Sequence, residues 1–143
     1  MAKIIALNIS GKKSIEKTNI DCADFIENYG MKDDAHAGNW HRQVSFLAKE
    51  SIEKMQQLGI EGLTPGKFAE NITTEGLELF SLKIGTLLKA GDVIFEVTQI
   101  GKKCHGKCEI FYKIGHCIMP KEGIFAKVIK GGTIKKNQSI KIV

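Results

Sequence analysis

Glycine cuts this sequence into short apolar runs, and that punctuation limits the folds open to it. Residues 87–88 and 93–99 are strand-like pieces divided by Gly91-Asp92, with Gly85 as a further turn point. Residues 124–129 form another run, followed by Gly131-Gly132, and residues 139–143 form a closing one. Residues 3–8 carry β-branched Ile4 and Ile5 and then Leu7, and residues 42–47 alternate like a buried strand. Runs of this length bounded by glycine read as short strands joined by turns. Residues 50–58 read as a helix, with Ile52, Met55 and Leu58 on one face and Gly59 behind them. Residues 21–30 are ambiguous. Phe25, Ile26 and Tyr29 have the spacing of a short helix ending at Gly30. Residues 31–41 read as a polar loop. Residues 64–76 read as a second loop with an extended stretch at 71–74, and residues 108–114 as a strand or a helical turn. The expected class is β-rich, mainly β with a few short helices, as a β-barrel or a folded antiparallel sheet.

At 143 residues the chain suits a single domain spanning 1–143. Hydrophobic residues at 43% and charged residues at 26% exclude a disordered chain. No apolar run approaches the ~20 residues of a membrane span, and the N-terminus reads as no secretory signal, so a cytoplasmic protein with no membrane partner is expected. The net charge is +5, yet the lysines are dispersed and Arg42 is the single arginine. Nucleic-acid domains cluster their basic residues, so no nucleic-acid partner is expected. Arg42 is either an anion-recognition residue, since a guanidinium suits phosphate and carboxylate, or a local ion-pair former.

Cysteines stand at 22, 104, 108 and 117, three of them within fourteen positions. In a reducing compartment such a cluster suggests metal binding or sulfur chemistry rather than disulfides. Cys104-His105-Gly106-Lys107-Cys108 is the most concentrated reactive segment, and Lys102, Lys103, His105 and Lys107 surround Cys104. Adjacent cations lower a thiol pKa and favour the nucleophilic thiolate. A thiol without a role is the plain alternative. Structural zinc on Cys104, Cys108, His116 and Cys117 is another, although neighbouring residues such as His116 and Cys117 rarely reach one ion.

Two further segments carry polar chemistry. Asp34 and His36 stand two apart, which on an extended segment lets the carboxylate orient the imidazole. A solvated loop is the alternative there. In residues 65–76, Asn71, Thr73 and Thr74 suit hydrogen bonding to a flat heterocycle, or equally the capping of turns.

Taken in order, these segments resemble the MOSC domain, named for the C-terminal domain of molybdenum cofactor sulfurases. The resemblance runs from about Lys3 to the end. It rests on Asp34-Ala35-His36-Ala37-Gly38, on Arg42-Gln43-Val44-Ser45, on residues 65–76, and on Ile84-Gly85, Gly91-Asp92, Val97-Thr98-Gln99 and Cys104. Asp33 and Ala69 replace frequent glycines, and Asn137-Gln138 stands where Gly-Asp is common. The resemblance implies a β-barrel fold binding the molybdenum cofactor, a pterin dithiolene carrying phosphate. By the same resemblance, Cys104 carries sulfur as a persulfide or approaches the metal, and His36 polarises or protonates an oxygen. Arg42 and Lys103 face the phosphate, and Asn71, Thr73 and Thr74 the pterin. The sulfur would come from a separate cysteine desulfurase, which holds the pyridoxal phosphate, and pass to a molybdoenzyme acceptor. Two alternatives remain: a molybdenum-dependent reductase component acting on N-hydroxylated compounds, and a non-catalytic zinc-stapled module.

Overall fold

The computed structural model describes residues 2–13, 15–101 and 119–143. Their order is β1 (Lys3–Ile9), β2 (Thr18–Ile20), β3 (Cys22–Ile26), β4 (Gly30–Met31), β5 (Val44–Ala48), α1 (Lys49–Gln56), β6 (Ile72–Glu75) and a 3-10 turn (Leu79–Ser81). There follow β7 (Leu87–Ala90), β8 (Val93–Ile100), α2 (Met119–Glu122), β9 (Ile124–Lys130), β10 (Gly132–Lys135) and β11 (Lys141–Ile142). Among these, no helix is long and apolar enough to cross a membrane. The residues 108–114 lie outside the described part.

Eight strands make one curled sheet in the order β11-β7-β8-β9-β5-β6-β1-β2, and β10-β3-β4 make a second, smaller one. β5 is buried along its whole length, because β6 runs parallel to it on one side and β9 antiparallel on the other. A strand buried on both faces reads as a continuous apolar run, which is what Val-Ser-Phe-Leu-Ala nearly is. β8 instead alternates, with Val93, Phe95 and Val97 turned inward. Phe95 joins the two sheets: its ring meets Phe46 edge-on at 5.1 Å and Phe25 of the small sheet at 5.3 Å. Such edge-to-face contacts add about 0.5–1.5 kcal/mol each beyond area burial.

One stretch near the end ties the curl together. Ile4 N–H donates to the Gln138 carbonyl, Asn137 N–H to the Ile4 carbonyl and Ile140 N–H to the Ala2 carbonyl, on β1 and the residue before it. β11 then continues onto β7 at the opposite edge. The expected β-rich fold is therefore observed as a curled half-barrel in which, among the described residues, α1 runs for two turns and α2 for one.

Two local expectations change. Residues 21–30 are not a helix: Ala23 and Phe25 are buried while Cys22, Asp24 and Ile26 are exposed, the two-residue alternation of a strand. The backbone partner that decides this is β10, more than a hundred positions away and itself expected as part of a turn. The α1 helix is present, but Leu58 lies beyond its end and is 67% exposed, so only Ile52 and Met55 of the expected face reach the core.

Candidate functional site

The segment after β4 turns sharply, and the turn brings Asp34 and His36 together. Asp34 Oδ2 accepts the His36 backbone N–H at 2.9 Å and stands 3.6 Å from His36 Nδ1. The contact expected from their spacing is thus present, made by a turn rather than an extended stretch. Asp34 Oδ1 accepts the Ser10 N–H at 3.0 Å and the Lys17 ammonium at 2.9 Å, and the Lys17 and Asp34 side chains are fully buried. Burial alone pushes the Asp34 carboxyl up. The hydrogen bonds from His36 and Lys17, with the Lys17 charge, outweigh it and hold the group well below the usual carboxylate range. Burial drives Lys17 the other way, down, against the opposing pull of Asp34 and Glu70.

Glu70 is the third charge-bearing group of this buried layer. Its oxygens accept N–H groups of Gly66 and Phe68 and the Thr73 hydroxyl. Burial still pushes its carboxyl up, against those donors. Gly66 is required where it stands. Its φ of +96° is left-handed, and a Cβ would lie 2.4 Å from the Lys17 carbonyl oxygen. Close approach of these two backbones seats Lys17 against the loop, with its N–H on the Gly66 carbonyl.

The same layer takes in the polar residues expected to meet a heterocycle. Asn71 Oδ1 accepts the Ser45 N–H and hydroxyl, and its Nδ2 donates to the Asn8 carbonyl. Thr73 donates to Glu70 and accepts from Asn8 Nδ2. Thr74 is also fully buried, and its hydroxyl has no hydrogen-bond partner among the described residues. All three side chains face inward beneath the rim and are not joined to Arg42. Neither Lys17 nor Asn8 was singled out from the sequence, nor was Glu70. The partners of Lys17 and Asn8 lie too far along the chain to leave a local signal, whereas those of Glu70 are within four positions and its burial is what the local pattern does not show.

Arg42 belongs to the rim above. It is half-buried, and its Nε donates to Gln99 Oε1 at 3.1 Å. Its guanidinium carbon lies 5.3 Å from the Phe125 ring centre and 5.9 Å from that of Trp40. His41 Nε2 meets the same Gln99 oxygen at 2.8 Å. Trp40, missed from the sequence, is central: Lys13 Nζ sits 4.3 Å over its ring, and its indole N–H donates to the His36 carbonyl at 2.7 Å. The rim thus gathers Lys13, His41 and Arg42 around an aromatic face, an arrangement suited to a planar anion. Gln99 lies near the end of β8, whose continuation leads in sequence to Lys103 and Cys104.

Cys104 and Lys103 lie outside the described residues, as do Cys108, His116 and Cys117 of the zinc alternative. Cys22 is an exposed free thiol on β3. Among the described residues, no group of three or more His, Cys, Asp or Glu is placed to hold a metal.

The three positions where the sequence departs from frequent glycines have one conformation. Asp33 (φ 68°), Ala69 (φ 65°) and Asn137 (φ 72°) are all left-handed. Asp and Asn tolerate that region, whereas alanine is strained there.

Comparison with known proteins bears on the whole arrangement. A family model described as the MOSC domain matches residues 33–141. No curated protein matches the chain. Among solved structures, the YuaD protein from Bacillus subtilis superposes with a TM-score of 0.83 at 20% identity, covering 99% of this chain and 94% of that one. YiiM from Escherichia coli (TM-score 0.74, 17% identity) covers 100% of this chain and 70% of its own. YiiM from Geobacillus stearothermophilus (0.74, 20%) covers 100% and 75%. At these identities the likeness shows the fold.

Proposed function

The chain belongs to the MOSC domain family, which is associated with the molybdenum cofactor, and from that premise we propose that it binds this cofactor and carries or delivers sulfur as a persulfide on Cys104. The observation that carries the reading is the cationic, aromatic-backed rim of Lys13, Trp40, His41 and Arg42. A pterin with a phosphate is flat and anionic, and these residues fit both properties. Arg42, Lys13 and Lys103 would hold the phosphate and Trp40 the planar part. Asn71, Thr73 and Thr74 lie in the buried layer, the first two hydrogen-bonded within the chain. The cofactor, when bound, supplies a sulfur-ligated metal able to take a terminal sulfur or oxygen.

The work of the chain's own residues is sulfur handling and proton handling. The Cys104 thiolate attacks the terminal sulfur of a persulfide on a cysteine desulfurase. A new S–S bond forms at Cys104, and the desulfurase cysteine leaves as a thiolate. Thiolate character favoured by Lys102, Lys103 and Lys107 suits this attack. His36, oriented by Asp34, moves a proton to or from the oxygen displaced or formed at the site. The pyridoxal phosphate belongs to the desulfurase, and the cytoplasm is the compartment in which such a thiol stays reduced.

Mass spectrometry after incubation with a cysteine desulfurase and cysteine tests the reading. The peptide bearing Cys104 gains one sulfur, and Cys104→Ser abolishes the gain while leaving the fold intact. Sulfur loading that persists in the variant refutes the assignment.

The positioned imidazole of His36 favours a second reading, reduction of an N-hydroxylated compound to the amine and water with two electrons from a separate donor and two protons. Cofactor-loaded protein that turns over such a substrate after Cys104→Ser would favour reduction over sulfur delivery.

A further inference from the structure

We infer that Lys17 is a positioning residue for His36: by ion-pairing with Asp34 it fixes the carboxylate that holds the imidazole with its proton on Nδ1. The inference rests on the reading that places His36 in the functional site.

The division of labour on Asp34 is the starting point. Oδ1 takes the Lys17 ammonium at 2.9 Å and the Ser10 N–H at 3.0 Å. Oδ2 takes the His36 N–H at 2.9 Å and faces His36 Nδ1 at 3.6 Å, an electrostatic approach longer than a hydrogen bond. One oxygen is anchored to the body of the protein and the other is presented to the imidazole. Lys17 cannot drift, because its Nζ also donates to the Ser10 hydroxyl at 2.9 Å and its backbone N–H is held by the Gly66 carbonyl at 2.8 Å. The His36 carbonyl is pinned in turn by the Trp40 indole at 2.7 Å.

Stability alone does not call for this pair. Apolar side chains of similar volume commonly stabilise a buried position as well as an ion pair does. What apolar side chains do not provide is a negative oxygen at a fixed place beside Nδ1. That oxygen favours a proton on Nδ1 and leaves Nε2 as the nitrogen that exchanges protons with a ligand. The Lys17 charge has a second effect. It balances the Asp34 charge that the imidazole faces. Glu70, the other acid of this layer, acts on Lys17 from the loop at 66–73.

Side-chain nitrogen NMR on the full chain tests the inference, with the His36 signals assigned by their loss in His36→Gln. At a pH where the imidazole is neutral, His36 shows the Nδ1–H form in excess by about tenfold, as one unit of differential interaction gives. A free histidine side chain favours Nε2–H instead, so the sign of the preference is diagnostic. In folded Lys17→Met, or Lys17→Gln where the methionine variant fails to fold, the preference collapses or the imidazole stays protonated to higher pH, while His41 is unchanged. An Nε2–H form in the unaltered protein overturns the inference. So does an unaltered His36 signature in a folded Lys17 variant. Sulfur loading of Cys104 is read separately: a chain that never loads but shows the Nδ1–H signature defeats the sulfur reading and leaves the positioning role of Lys17 standing.

Discussion

In the layer beneath the rim, Asn8, Lys17, Asp34, Glu70, Asn71 and Thr73 are buried and hydrogen-bonded within the chain. In the rim, Lys13, Trp40, His41 and Arg42 are partly or fully exposed, and they meet one another mainly through ring faces and the shared Gln99 oxygen. Both regions are polar, and both combine residues from the stretch that the family model matches, 33–141, with residues that precede it. Residue type does not separate them; the number of partners does. A buried amide such as Asn71, with its oxygen and nitrogen both engaged, builds the backbone platform. A guanidinium with one nitrogen engaged and its plane against aromatic rings is left able to meet an anion.

The contrast is broken most severely at the buried ion pair. Asp34→Asn leaves the Lys17 ammonium in a buried site without its counter-charge, and a loss of about 3–5 kcal/mol is expected in urea unfolding at neutral pH. The effect depends on acidity with a definite sign. The folded Asp34 carboxyl titrates well below its unfolded range near pH ~4. Its contribution is full above that range and is lost as pH falls through the folded value, so the gap between chain and variant narrows in acid. A gap that widens on acidification would contradict the pairing.

Asn71→Ala comes next, with an expected loss of about 2 kcal/mol, since the Ser45 N–H and the Asn8 carbonyl are left unsatisfied. Ala69→Gly sits lower. Relief of the left-handed alanine by about 1–2 kcal/mol is offset by loss of a methyl buried in the apolar cluster that also holds Leu47, Phe68 and Phe125, about 0.8 kcal/mol, and by the freer unfolded glycine. The net shift is expected within about 1 kcal/mol of zero, and a large gain in melting temperature would show that the methyl contributes nothing. Arg42→Ala should move stability least, by about 0.5 kcal/mol or less, while abolishing co-purification of the molybdenum cofactor. An Arg42 variant that unfolds but retains the cofactor would reverse the assignment of the two regions.

Much of the fold is legible in the sequence because its strands announce themselves locally. β1, β7, β8 and β9 are largely apolar runs closed by glycine or loop, and β5 is an apolar run closed by α1. The region at 21–30 is not legible, because five residues of Cys-Ala-Asp-Phe-Ile fit either period, and the arbiter is a strand contributed from residues 132–135. In the site, the pairing of Asp34 with His36 is legible because it is local. The Lys17–Asp34 bond and the contact between the Lys17 carbonyl and Gly66 join segments with no shared pattern. Trp40 escaped notice for a different reason. A single tryptophan in a polar loop carries no periodicity, and its role is defined only once Lys13 and Arg42 are brought around it.

The tie between residues 2–4 and 137–140 has a kinetic meaning. Contacts between segments so far apart in sequence carry the full entropy of closing the intervening chain, and they slow the search for the native pairing. On the ribosome, the half-barrel cannot be stitched shut until residue 140 has left the exit tunnel. Until then β1 presents an unpaired edge near Ile4, the place where a holding chaperone or a stray strand would first take hold.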